Sequence, residues 1–205
     1  MRINTNFLNK LRYTLYAPAY DWPARILDTS RQKAILHLAP KAGESILIIG
    51  AGTGMDLDYL PLGCEITATD LTPAMIQQIA KRNRKLKHKL VARVMDGQNL
   101  AFKNELFDKV ILHLIVSVIP DPIRTISEAE RVLKPGGTIS VFDKFVPKSQ
   151  QPSKLRKAAN LLTNLFFSDI TRSFEEIISH TQLQVISDVP ADFGGNFRII
   201  LLKKK

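Results

Sequence analysis

The sequence predicts an α/β fold, a mostly parallel sheet covered by helices on both faces, and three observations carry that expectation. Short β-rich runs at 45–49, 65–69, 90–95, 109–116 and 138–142 alternate with helical stretches at about 54–60, 73–85 and 122–133, the order of a chain of βαβ units. Several runs, SILII at 45–49 and KVILHLIV at 109–116 among them, are nearly continuous in apolar residues, as strands buried on both faces require. A glycine-rich turn, Gly50-Ala51-Gly52-Thr53-Gly54, closes the first run and leads straight into a helical pattern.

The remaining elements follow in chain order. Before Gly43 the periodicity is helical: Ile3, Phe7, Leu8, Leu11 and Leu15, then punctuation at Pro18 and Pro23, then Ile26, Leu27, Ile35, Leu36 and Leu38. Residues 1–42 are expected to form a helical cap. Thr72 followed by Pro73 reads as an N-cap and first helical residue just after the second strand. The pattern breaks at Pro147, Ser149, Gln150, Gln151, Pro152 and Ser153, inside an expected helical insertion at 145–170. Stretches 153–167 and 171–181 then read as helical, and runs at 183–188 and 197–203 as final strands with a return at Gly194-Gly195-Asn196. With 205 residues, one domain spanning 1–205 is expected.

Composition narrows the class. At 45% hydrophobic and 23% charged residues the chain is ordinary for a globular protein, which excludes collagen-like, coiled-coil and wholly disordered chains. No apolar run approaches a membrane span, and residues 1–20 lack a signal-peptide pattern. A lone cysteine, Cys64, offers no internal disulfide, and no Cys/His cluster has zinc spacing. A cytoplasmic location is expected. The net charge of +10 favours polyanions, either an anionic membrane surface or nucleic acid. It gathers in seven basic residues between Lys81 and Arg93 and five between Lys144 and Lys157, with no acid in either stretch. Solvated surface accounts for such runs as readily as polyanion contact does.

Glycine is wanted in the 50–54 turn because a ligand approaches the backbone there and some positions need positive φ. Met55 stands where a dinucleotide-binding fingerprint would have its third glycine, which disfavours NAD and FAD. At the end of the second strand Asp70 can accept hydrogen bonds from both hydroxyls of a ribose.

Taken together, ILIIGAGTG at 46–54, ITATDLTPAMI at 66–76, MDGQNLAF at 95–102, FDKVILHLIV at 107–116 and RVLKPGG at 131–137 resemble the ordered motifs of the class I S-adenosylmethionine-dependent methyltransferases, over residues of about 20 to 203. That resemblance implies a Rossmann-like seven-stranded sheet, its last strand antiparallel. It implies S-adenosylmethionine as cofactor, S-adenosylhomocysteine as product, and no metal. Gly50, Ala51, Gly52 and Gly54 would form the cofactor loop, Asp70 would hold the ribose, and Leu71 and Met75 would flank the adenine. Asp96 would accept from the adenine amino group, the backbone of Gly97 or Gln98 would meet the ring, and Tyr20 of the Tyr20-Asp21 pair would close over the cofactor.

One position departs from the family pattern. Ile48 stands where relatives carry the acid that organises the glycine loop, and Asp56 is either its substitute or a helix-start acid. Methyl transfer from a sulfonium is an in-line displacement from an activated leaving group, so alignment and exclusion of water matter most. An amine acceptor must also be neutral at attack, and His113 is the candidate base. Arg31 lies where some relatives carry an arginine near the cofactor carboxylate.

The amphipathic pattern of 1–16 suits a membrane interface, and a basic-flanked apolar helix at 153–167 suggests an apolar or amphiphilic acceptor. Tyr20-Asp21, the Pro-Asp-Pro turn at 120–122, Phe142-Asp143-Lys144 and the ending GGNFRIILLKK resemble the bacterial phosphatidylethanolamine N-methyltransferases most, with the ubiquinone and menaquinone methyltransferases close behind. A small-molecule or lipid acceptor is expected, and the protein would lie in the cytoplasm or at the inner face of the membrane. Nucleic acid is a weaker alternative, because His113-Leu114-Ile115-Val116 lacks the Asn/Asp-Pro-Pro-aromatic tetrad of amino-directed nucleic-acid enzymes. A non-catalytic cofactor-binding protein, suggested by Ile48, is a further alternative.

Overall fold

A computed structural model of the chain describes residues 5–146, 160 and 169–205. The expected helix at 153–167 lies outside them, Asn160 apart. Five strands form a parallel core: β1 (Ser45–Ile49), β2 (Glu65–Asp70), β3 (Lys89–Val94), β4 (Phe107–His113) and β5 (Leu133–Lys144). With β6 (Gln184–Pro190) and β7 (Phe197–Lys203) they make a seven-stranded sheet in the order β3-β2-β1-β4-β5-β7-β6. Strand β7 is antiparallel to both neighbours.

Chain direction and twist dictate where a ligand can sit. From β1 the chain winds outward to β2 and β3, then returns to place β4 on the other side of β1. The crossovers therefore diverge at the carboxyl ends of β1 and β4, and open α/β sheets bind ligands in that crevice.

Alternation along β1 builds the two core layers. Ile46 and Ile48 join Ile35 and Leu38 of α3 (Asp28–Leu38) and Ile79 of α4 (Pro73–Leu86) on one face. On the other, Leu47 and Ile49 pack with Ile126, Ala129 and Val132 of α5 (Pro122–Val132) and with Phe174 and Ile177 of α6 (Phe174–Ile178). Ahead of α3 come α1 (Asn6–Tyr16), α2 (Asp21–Ala24) and a 3-10 turn at Arg25–Leu27. The edge strand β3 carries Lys89 and Arg93 on exposed positions. Charges on an edge deter pairing with another chain, which accounts for part of the 81–93 basic run.

Several boundaries differ from the sequence expectation. The helix expected at 54–60 is a single 3-10 turn, Met55–Tyr59, and the one expected at 171–181 shortens to α6. The run 109–116 stops being a strand at His113, because Leu114 takes a left-handed φ of 59°. Helix α4 does start at Pro73, but the Thr72 side chain makes no capping bond. The return before β7 is a helical turn at Asp192–Gly195, with Phe193, Gly194 and Gly195 at positive φ.

Leu47 is fully buried between β1 and the α5 layer. Leu47→Ala should destabilise the protein by about 2–5 kcal/mol in urea unfolding, through lost transfer energy plus the cavity left behind. A cost below about 1 kcal/mol would mean that this layer is not close-packed.

Candidate active site

The glycine loop occupies the predicted crevice. Gly50 has φ +66°, and a Cβ there would run into the Ile115 side chain, so the backbone is bare where β1 ends. Gly52, at φ +56°, donates its N–H to Asp70 Oδ2 at 2.9 Å, while the Thr72 N–H reaches Asp70 Oδ1 at 2.8 Å. The Asp70 carboxylate thus links the loop after β1 to the end of β2. Burial pushes its pKa up, and the hydrogen bonds from Thr72 and Gly52 only partly oppose that. A carboxylate so desolvated gains from any further hydroxyl donor.

The loop and Asp70 form one wall of a cleft of about 640 Å³. Of the residues expected at a cofactor site, Tyr20, Gly50, Gly52, Asp70, Leu71, Met75, Asp96 and Gly97 line it. Ala51, Gly54, Gln98 and His113 do not. Ala51 is buried, its N–H bonded to Thr69 O, and Gly54 donates to Ala51 O as the 3-10 turn begins. Gln98 stands behind Asp96. Its N–H donates to Asp96 Oδ1 at 2.9 Å, and its Oε1 accepts from the Asp121 N–H at 2.9 Å.

Helix α1 roofs the cleft with Asn6, Asn9 and Tyr13, which sequence reasoning missed. Asn6 Nδ2 donates to Asp96 Oδ2 at 2.7 Å, and Asn9 Nδ2 to Val118 O at 3.2 Å. The spacing i, i+3, i+7 of these three residues is a helical face and was the available signal. Because that face points inward, the apolar face points outward. Phe7 is 74% exposed and Leu15 71%, with Leu8 and Leu11 also exposed.

Tyr20 reaches the roof because its neighbour Asp21 is anchored. Asp21 Oδ1 accepts from Thr53 Oγ1 at 2.5 Å, and its Oδ2 pairs with Arg82 of α4. The Tyr13 and Tyr20 rings meet edge-on, with centroids 6.1 Å apart. Burial pushes both phenols up, so both remain protonated at neutral pH.

Beneath the loop lies a buried network. Asp56, 2% exposed, takes Arg31 Nη1 at 2.9 Å and His113 Nδ1 at 2.7 Å on the same Oδ1. Burial alone would push the Asp56 carboxyl up, but Arg31 and then His113 outweigh it and hold it well below the usual carboxylate range. Asp56 is therefore not an exposed helix-start acid. Because a carboxylate only accepts, His113 Nδ1 carries hydrogen, and Nε2 takes Ser140 Oγ at 2.9 Å. With both nitrogens engaged and the ring closed off from the cleft, His113 has no free position for an acceptor. Arg31 likewise points to Asp56 and does not line the cleft.

A second opening adjoins the first. An apolar groove of about 1190 Å³ runs between α1, α2 and the end of β7, and Tyr13, Tyr20, Leu114 and Val118 wall both spaces. Leu114 keeps its left-handed backbone by donating its N–H to Phe142 O at 2.7 Å. Such a conformation costs a bulky residue about 1–3 kcal/mol and concentrates at functional sites. The loop after Leu114 is clamped. Asp143 Oδ2 accepts from the Ser117 N–H at 2.8 Å, Arg172 binds Val116 O and Ile119 O, and the Asp169 N–H donates to Ser117 O at 2.8 Å.

Comparisons with known proteins agree with this architecture. The methyltransferase domain profile matches residues 47–141. The chain is 25% identical over 189 residues to the phosphatidylethanolamine N-methyltransferase of Cereibacter sphaeroides, covering 91% of this chain and 93% of that protein. An uncharacterised protein of Methanocaldococcus jannaschii is 32% identical over 159 residues, 72% of each chain. Among solved structures, the complex of the Haloferax volcanii Trm112 activator with a methyltransferase superposes with a TM-score of 0.75 at 18% identity, covering 93% of this chain and 96% of that one. The fold is the Rossmann-like methyltransferase fold. The chain belongs to the class I S-adenosylmethionine-dependent methyltransferases and is an enzyme of that class, with S-adenosylmethionine as methyl donor.

Binding and unfolding measurements test the site. Asp70→Asn should weaken S-adenosylmethionine binding at least about tenfold in calorimetry, the value of a charge-assisted hydrogen bond. Gly50→Ala should abolish it, whereas Gly136→Ala, which also meets a positive φ but lies outside the cleft lining, should leave it unchanged. Equal affinity in all three variants would remove the cleft from cofactor binding. Asp56→Asn should cost about 3–5 kcal/mol in thermal or urea unfolding, since it strands Arg31 in the core. The double change Arg31→Met, Asp56→Leu should cost less than Asp56→Asn alone.

Proposed function

We propose that the enzyme methylates the headgroup amine of a membrane amphiphile, a phospholipid of the ethanolamine type, with the cofactor held in the cleft. The observation that carries this reading is the apolar groove that joins the cleft through the Tyr13 and Tyr20 wall. An acceptor seated there exposes its reactive end to the cleft and leaves its chains in apolar surroundings. The resemblance to the Cereibacter phosphatidylethanolamine enzyme along nearly the whole chain supports the amine acceptor.

The residues present suit the cofactor. Asp70 would take the ribose hydroxyls, Leu71 and Met75 would flank the adenine, and Asp96 would accept from its amino group, with the Gly97 backbone beside the ring and Gln98 holding Asp96 from behind. Gly50 and Gly52 would give the loop its close approach to the methionine moiety, Ala51 and Gly54 would shape the loop behind them, and Tyr20 would cover it. When bound, the cofactor supplies a methyl group on a cationic sulfur. The protein's own part is alignment and exclusion of water by the α1 roof. Among the described residues the groove wall carries no carboxylate and no histidine. Attack on the methyl group requires the amine as its free base.

No helix among the described residues is long and apolar enough to cross a membrane. The outward face of α1, continued by Trp22 and Ile26, is instead an exposed apolar surface beside the groove mouth. Lys10 and Arg25 stand beside it, and the chain's net charge is +10. That combination suits the interface of an anionic membrane.

Methyl-labelled S-adenosylmethionine, phosphatidylethanolamine vesicles and organic extraction provide the test. Label is expected in the phospholipid fraction. The double change Phe7→Asp, Leu11→Asp should reduce labelling from vesicles much more than labelling of the same lipid in detergent. Label in an added quinone and none in phospholipid would replace the acceptor, and label confined to the aqueous or nucleic-acid fraction would overturn the amphiphile reading.

A further inference from the structure

The groove beside the cleft is apolar and aromatic along most of its wall, and Lys144 is its one cation among the described residues. Lys144 ends β5 in register with Phe197 of β7, and its Nζ rests 5.5 Å from the Phe197 ring centroid. No acid among the described residues pairs with it. Several other cations near the two spaces are engaged. Arg31 is paired with Asp56, Arg82 with Asp21 and Asp58, Arg198 with Glu175 and Asp188, and Arg172 with Asp169 as well as with backbone carbonyls. Nor does any acid among the described residues line the groove.

A cation held over an aromatic face keeps its charge and can turn its ammonium to an anion. In apolar surroundings an unmatched positive charge is costly, and a bound anion offsets that cost. We propose that Lys144 determines acceptor specificity by pairing with the phosphodiester of a phospholipid whose chain lies in the groove. The proposal rests on the amphiphilic-acceptor reading and adds to it a required negative charge close to the methylated amine. In an ethanolamine phospholipid a short linker separates phosphate from amine, so a phosphate at Lys144 leaves the amine free to reach past Tyr13 and Tyr20 toward the cleft. A neutral quinone ring would leave Lys144 unmatched.

The chain supplies its own reporter. Trp22 is the single tryptophan, lies on the groove wall and is 85% exposed. Its emission should shift to shorter wavelength when an acyl chain covers it. The probes are lysophosphatidylethanolamine and a monoacylglycerol of the same chain length, both below their micelle concentrations. Wild type should bind the phosphate-bearing probe more tightly. Lys144→Glu should weaken that binding at least about tenfold, the worth of one charge-assisted pair. Lys144→Arg should retain it, and neither change should move monoacylglycerol affinity. S-adenosylmethionine binding by calorimetry checks that both variants fold.

Equal affinity of wild type for the two probes, equal losses for both in Lys144→Glu, or no emission change with either would overturn the proposal. Its failure is distinguishable from failure of the acceptor reading. Methyl label in phospholipid without discrimination by Trp22 fluorescence sinks only the Lys144 assignment. Discrimination without labelled phospholipid sinks the acceptor reading and leaves an anion-selective groove.

Discussion

Asp56 lies at the centre of a buried polar network that ties four parts of the molecule together. Its carboxylate joins Arg31 of α3, the 3-10 turn that follows the glycine loop, and His113 at the end of β4, and His113 passes the connection to Ser140 of β5. Pairs of this kind seldom add stability over a well-packed apolar alternative, because desolvating each charge costs about as much as the pair returns. What they specify is geometry. Here the fixed quantity is the distance between the glycine loop and the carboxyl end of β4, and both cleft and groove are laid out from that end.

Ile48 acquires a physical meaning in this setting. Its side chain packs on the sheet face that carries Ile35, Leu57 and Ile111, and in the parallel register it stands opposite Ile111, two residues before His113. Asp56 supplies a carboxylate on that same face from the loop's far side. The chain thus carries a buried carboxylate a little further along, held by Arg31 and His113.

Much of this was legible in the residues. Continuous apolar runs marked β1 and β7 at 45–49 and 197–203, and the glycine turn with Asp70 marked the crevice, because strands buried on both faces and a bare backbone leave few alternatives. Less legible were the features set by tertiary contacts. Local pattern extends a helix from Met55, but Asp56 is drawn inward by Arg31 and His113, and only a 3-10 turn survives. His113 looked free for chemistry since nothing in the sequence tells that Asp56 and Ser140 occupy both its nitrogens. Helix α1 has the amphipathic pattern read from the sequence, but its inward polar face went unread. Apolar periodicity ordinarily points a helix face toward the core, and here it is the Asn6, Asn9 and Tyr13 face that turns inward.

That inversion has a consequence for the protein as a colloid. An exposed strip of Phe7, Leu11, Leu15 and Trp22 is a surface on which copies of the chain would adhere in water. The excess of ten positive charges opposes this, since like-charged molecules are kept apart beyond the short range over which apolar contact acts. Dispersal in solution is then a balance between a sticky strip and a mutual repulsion, and salt shifts it by shortening the reach of the repulsion while leaving the strip unchanged. An anionic surface resolves both sides of the balance together, because it neutralises the charge at the place where it covers the strip.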